Sequence, residues 1–232
     1  MKFCFGFLLT CLLMVSPLRA AIVINEFQPN PAGGDPATQT IELRATAGEN
    51  SFVGFYGSIE GDGAFAIDRS GSINVNFVGG LATVDIPDLE NPTFTFYIST
   101  ADHSTATSIA EITTAIDALG VPDLNSDSLY GVTLGGTDLV NHSLPGFANE
   151  PLIAFRDAAT LAWIQVYEDN PITSAFAFDV NGVQIPNMNF DLDPTVTTFG
   201  STNPTFTAVP EPSSVTLLAL AGTVFLRRRR AQ

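Results

Sequence analysis

An all-β fold, an antiparallel β-sandwich with one short helix, is what the sequence predicts for residues 21–190. From residue 22 onward, short runs of alternating apolar and polar residues are broken by Gly, Pro, Asn and Asp every ~10 residues, the texture of successive strands and turns. The 232-residue chain has 18 Phe against one Trp and four Tyr. That balance suits a dry aromatic core better than a sugar-binding platform of exposed Trp and Tyr. Its two cysteines, Cys4 and Cys11, both lie in the first 20 residues, which read as a removed export signal. The exported domain must then be held by a hydrophobic core of ordinary size, without disulfides, Cys-based metal sites or a Cys nucleophile.

The elements follow in chain order. Residues 1–20 form the signal: Lys2, an apolar run from Phe3 to Val15, then Ser16-Pro17 and a small-residue exit at Ala20-Ala21, with cleavage after Ala20 or Ala21. A run of ~13 residues is too short to span a bilayer as an ordinary helix. Ten strands are expected next, at residues 22–27, 40–44, 52–59, 64–67, 73–78, 93–98, 129–134, 152–156, 161–167 and 175–180. In two of them the alternation puts Ile41 and Leu43, and Phe94, Phe96 and Ile98, on one face. Ile109, Ile112, Ile116 and Leu119 fall at helical spacing, with Ser108 and Glu111 at capping-box separation and Gly120 and Pro122 as a stop, so one helix is expected there. Residues 191–208, rich in Thr, Pro, Asn and Ser, read as a tether or a last strand.

Charge narrows the function. Between residues 21 and 209 only Arg44, Arg69 and Arg156 stand against 23 acids. Such a body would repel a polyanion, which excludes nucleic acid and disfavours an anionic lipid surface or an acidic substrate. The remaining basic residues are Lys2, Arg19 and the run Arg227, Arg228, Arg229 and Arg230.

That run closes the most informative segment, residues 209–230. Pro210 and Pro212 keep the chain around Glu211 extended, an open strand that a processing enzyme can bind. The apolar stretch behind them, 213–226, is a marginal transmembrane segment, and four arginines at its end stay on the cytoplasmic side, leaving the body outside. With its three parts in order, the tail is similar to the PEP-CTERM sorting signal of Gram-negative bacteria that make exopolysaccharide. The resemblance implies recognition of Pro210-Glu211-Pro212 by an exosortase, a transpeptidase-like membrane enzyme, with transient anchoring in the inner membrane. Removal of the tail and delivery to the cell surface or extracellular matrix would follow, with matrix polysaccharide or other matrix proteins as partners. A permanent single-pass anchor is the alternative that hydropathy alone allows.

The opening of the body carries a second resemblance. Ile22-Val23-Ile24-Asn25-Glu26-Phe27, a Pro- and Gly-rich turn over 29–36 and Thr40-Ile41-Glu42-Leu43 are similar to the start of a lamin-tail domain, with Thr40 in place of the usual Trp. It implies an immunoglobulin-like sandwich that acts as a binding or structural module and brings no catalytic residues. Glu26 and Glu42 are expected at a strand rim or in solvent, as isolated strand acids mostly are.

Catalytic signals are weak. His103 and His142, the only histidines, sit in polar stretches expected to be surface loops, and no Gly-x-Ser-x-Gly or His-Glu-x-x-His pattern occurs. Glu60 or Glu90 could join a glycosidase-like carboxylate pair only if the fold supplied the spacing. The one cofactor expectation is calcium. Asp123, Asn125 and Asp127 have alternate-residue spacing, although Ser128 and Leu134 stand where an EF-hand needs Gly and Glu, and a solvated Asx-turn loop is the competing reading. A structural or adhesive surface module, not an enzyme, is therefore expected, with a surface hydrolase on the same scaffold as the competing class.

Overall fold

The computed structural model describes residues 21–29, 37–87, 89, 93–124, 126–142, 150–168, 175–185 and 197–205. The export signal, Asn125, Glu90, the sorting tripeptide Pro210, Glu211 and Pro212, the apolar stretch and Arg227 to Arg230 lie outside them. Among the described residues eleven strands form two sheets: β1 (Ile22–Phe27), β2 (Thr38–Ala45), β3 (Ser51–Glu60), β4 (Ile67–Asn76), β5 (Leu81–Pro87), β6 (Phe94–Ser99), β7 (Ala115–Val121), β8 (Thr137–Asp138), β9 (Ile153–Arg156), β10 (Trp163–Glu168) and β11 (Ala175–Asp179). One sheet runs β11-β10-β9-β1-β2-β5 and the other β4-β3-β6-β7-β8. Pairing is antiparallel except for the short β7–β8 ladder, and the β4–β5 connection passes the chain from one sheet to the other. The expected β-sandwich is the fold.

Alternation explains the core. Ile22, Ile24 and Phe27 of β1, Ile41 and Leu43 of β2, Phe52 and Tyr56 of β3, and Phe94, Phe96 and Ile98 of β6 meet between the sheets. Phe27 stacks on Phe96 at 6.0 Å and meets the edge of Phe94 at 5.8 Å. Both sheets are also covered on part of their outer faces. Ile59, Tyr97 and Ala118 are buried with Ile112 and Leu134 outside the second sheet, and Phe155, Ile164 and Val166 outside the first. Gly57 is needed for the former cluster, because the Tyr97 ring lies so close across it that an added Cβ would sit 2.4 Å from the phenol oxygen.

Several sequence expectations change. The helix is absent: Ile109–Glu111 makes a single 3₁₀ turn and Ala115–Val121 is strand β7. Ser108 makes no side-chain cap, whereas the Glu111 carboxylate accepts from the backbone N–H of Thr107 at 2.8 Å. Helical spacing lost to pairing, since β7 fills the sheet between β6 and β8 with Leu119 and Val121 in the main core and Ala118 in the outer cluster. Residues 64–66 and 129–134 are turns and loops, and β5 fills a stretch where no strand is expected.

One ion pair joins the sheets. Arg156 at the end of β9 reaches Asp117 of β7 at 2.8 Å, with the side chains only 12% and 6% exposed. β9 pairs with β1 only at Glu26 and Phe27, so the first half of β1 has no strand beside it there. The ion pair takes the place of that strand: Arg156 Nε donates to the carbonyl of Ile24, and the Ile24 N–H donates to Asp117, both at 2.8 Å. Burial pushes the Asp117 carboxyl up, against the pull of Arg156 and the Ile24 amide. The guanidinium also lies 4.5 Å from the centre of the Trp163 ring. Asp117→Ala would leave this cation buried and unpaired, so urea titration should show a loss of about 3–5 kcal/mol.

Candidate functional site

β1 and β2 pair so that Glu26 lies directly opposite Glu42. A bulge after Ile24 shifts the register here, so Phe27 returns to the core while Glu26 faces away from it, in the same cross-strand row as Phe155. The outer face is not solvent at this point. Glu26 is 1% exposed and Glu42 0%, which overturns the expectation of rim-facing or solvated acids.

What covers them is the chain's own segment 197–205. This stretch, expected as tether or strand, is coil held to the sheet by side chains. The Thr198 N–H donates to Glu26 Oε1 at 2.8 Å, and the Thr198 hydroxyl meets Glu26 Oε2. Gly200 N–H donates to Glu42 Oε2, and Asn25 Nδ2 to Glu42 Oε1. Buried Asn203 donates from Nδ2 to the carbonyl of Arg156 at 2.9 Å and to that of Asn25 at 3.2 Å.

Burial dominates the titration of both carboxyls. Burial raises the Glu26 carboxyl to about 7; the Thr198 bonds pull the other way and the neighbouring Glu42 adds to the rise. Glu42 is raised too, by burial first, against the Gly200 and Asn25 bonds and the charge of Arg44. The hydrogen bonding agrees with a proton on Glu26. The Thr198 hydroxyl lies within bonding distance of both Glu26 Oε2 and Asn203 Oδ1, at 2.9 Å from the latter, yet has a single hydrogen. With Oε2 protonated, Glu26 donates to Thr198 and Thr198 donates to Asn203, and every contact has a hydrogen.

The other sequence candidates do not converge. Asp127 accepts from the Thr93 hydroxyl and from the Leu124 N–H, while Asp123 donates its N–H to Thr93 and its carbonyl accepts from Asn141. This is a hydrogen-bonded loop, and among the described residues no group of three His, Cys, Asp or Glu side chains is placed to hold a metal ion. His103 meets Thr114 at 2.9 Å on a half-buried loop. His142 departs from expectation: it is buried, stacked on Phe178 at 4.9 Å and against the edge of Tyr167 at 4.2 Å. Glu60 is exposed at the end of β3. A cleft of about 350 Å³ opens beside Asp117 and Arg156, whose charges are already paired. Leu161, left-handed at φ 61°, turns its carbonyl to the guanidinium there.

Sequence reasoning missed the carboxylate site because its partners lie more than 150 residues away in the chain. The available signal was local: each acid interrupts a strand that is otherwise core-forming, Ile-Asn-Glu-Phe and Ile-Glu-Leu. A raised Glu26 gives a testable sign. The folded state holds an extra proton between the ordinary glutamate value and about 7. Stability should thus be greatest below about pH 4.5 for this group and fall as pH rises to 7, by as much as ~3 kcal/mol, then level off. Glu26→Gln should remove that slope in urea titrations run at stepped pH.

Comparison with known families places residues 208–230 in the PEP-CTERM protein-sorting motif. The tail so recognised implies export and exosortase-dependent sorting to the cell envelope or surface of a Gram-negative bacterium. No curated protein and no solved structure matches the chain. Among the described residues no helix is long and apolar enough to cross a membrane.

Proposed function

We propose that this chain is a structural or adhesive surface module: a β-sandwich exported through its signal, held briefly at the inner membrane, and released to the surface or matrix when an exosortase removes the tail at Pro210-Glu211-Pro212. The observation that carries the reading is the sorting motif over residues 208–230. The body supports it in composition, since 23 acids against three arginines keep an exported domain soluble and away from anionic surfaces. Matrix polysaccharide and other matrix proteins are the partners this reading proposes. The pairing of β1 with β2 through the Ile-Asn-Glu and Ile-Glu-Leu strands supports a lamin-tail-like module with a binding role. For calcium at Asp123, Asn125 and Asp127, the hydrogen bonds of Asp123 and Asp127 give no support.

One observation favours a hydrolase, the neighbouring carboxylates Glu26 and Glu42 with raised pKa. A substrate would have to reach them, and their oxygens already bond Thr198, Gly200 and Asn25. A non-catalytic module is the better reading of the pair. Intact mass of protein recovered from the host's surface and medium tests the sorting step. The wild type should lack both the first ~20 residues and everything beyond about Pro212. Glu211→Ala should keep its C-terminus and stay with the membrane. Retention of Arg227 to Arg230 in the wild type would instead establish a permanent anchor.

A further inference from the structure

We propose that the Glu26/Glu42 pair and residues 197–205 form a latch that regulates sorting: closed, it holds the sorting tripeptide against the body and slows its capture by the exosortase, and open, it frees the tripeptide. The latch deepens the sorting reading and rests on it.

Covalent geometry supplies the first support. Thr205 and Pro210 are five residues apart, so a closed latch keeps the tripeptide within at most about 17 Å of the sandwich. If the segment leaves the sheet, the nearest described anchor is Ile185, bonded through its N–H to Ala177. The covalent limit over those 25 residues is then roughly 85 Å. The apolar stretch begins directly after Pro212, so the tripeptide lies where chain and membrane meet. An enzyme embedded there must fit its own bulk between membrane and body to bind Pro210-Glu211-Pro212 as an extended strand. A body tied within about 17 Å obstructs that approach, and opening lifts the covalent limit to roughly 85 Å.

The chemistry of the dock supplies the second. The segment is held by polar bonds from Thr198 and Gly200 to the two carboxylates, from Asn203 to the Arg156 and Asn25 carbonyls and from the Ala158 N–H to the Pro204 carbonyl, and from Thr197 to Thr205 it contains no charged residue that could pair with the carboxylates. Among the described residues, the groups facing Glu26 are these. Glu42 faces it from β2, with Arg44 beside Glu42; β1 contributes neutral Asn25. From β9 comes the Arg156 backbone, its guanidinium turned to Asp117, and β10 places Ile164 in the next row. Closure therefore buries Glu26 against a like charge and no cation, and it favours the protonated acid, in keeping with the single-hydrogen count at Thr198. Opening returns the carboxyl to water and releases that proton. The closed state should tighten roughly tenfold per pH unit as pH falls from about 7 towards 4.5. Glu26→Gln reproduces the protonated acid: its amide oxygen accepts from the Thr198 N–H and its NH₂ donates to the Thr198 hydroxyl.

The test uses the full chain, purified in detergent for amide exchange and expressed in an exosortase-bearing host for pulse-chase. Protection of residues 198–203, corrected for intrinsic exchange, should fall roughly tenfold per pH unit up to about 7 and then level off. Glu26→Gln should hold it high and flat. Asn203→Ala, and independently Thr198→Val, should lose it at every pH while the β1 and β2 amides stay protected, which shows that the fold survives. In cells, tail removal should be several-fold faster in the two opening variants and slower in Glu26→Gln. Equal protection in wild type and Glu26→Gln across pH would overturn the latch, and so would equal removal rates in all four proteins. No tail removal in the wild type would overturn the sorting reading itself, while the exchange profile still decides whether the segment opens.

Discussion

Arg156 is the residue on which the rest of this sandwich depends. An acidic body with three arginines has few ways to join two sheets electrostatically, and it commits one arginine to a buried pair with Asp117. The side chain spans from the end of β9 to β7 and satisfies the open backbone of Ile24 on the way. Its own carbonyl points the other way and accepts from Asn203. The joint between the sheets and the dock of the C-terminal segment are thus two sides of one residue. A pair like this need not add net stability over apolar packing, but losing one partner is costly, which makes the junction intolerant of change.

The same economy of cations explains why Glu26 and Glu42 are unusual. Buried acids are generally paired with a cation, yet here the partners are two backbone amides, a hydroxyl and one asparagine. Donors of this kind lower the cost of burial without cancelling it, so the carboxyls remain above their ordinary values. A sandwich optimised only for stability would place apolar residues opposite one another at this position of β1 and β2. Departures from local rules of this sort tend to mark places where a protein uses an interaction conditionally.

Much of the fold was legible from pattern alone, and the reasons for the exceptions are specific. β1, β2, β3 and β6 carry apolar alternation that only a strand can use, and they are the strands that build the main core. Residues 109–119 carry a helical spacing; long-range pairing with β6 overrode it, and no local window contains β6. β5 was hidden by its exposure, since Thr83, Asp85 and Pro87 face solvent, Leu81 and Val84 are half-buried and only Ala82 and Ile86 are fully buried. The tail was legible because its chemistry is local: prolines, an apolar stretch and arginines act in sequence order. Glu26 and Glu42 were not, because their burial comes from Thr198, Gly200 and Asn203, which no spacing rule connects to them.

The position of those partners in the chain bears on what the dock is for. A segment needed only to cap the outer face of β1 and β2 could come from any loop of the sandwich. The one used lies instead between the last described strand and the sorting motif, so a pull on the tail loads the bonds of Pro204 and Asn203 and then those of Glu42 and Glu26. Those bonds are polar and centre on a carboxyl whose pKa burial raises, so their strength depends on pH. The ion pair behind them is buried and joined to the core. Tension or a rise in pH would therefore open the dock before the sandwich, and the folded body would survive release of its own tail.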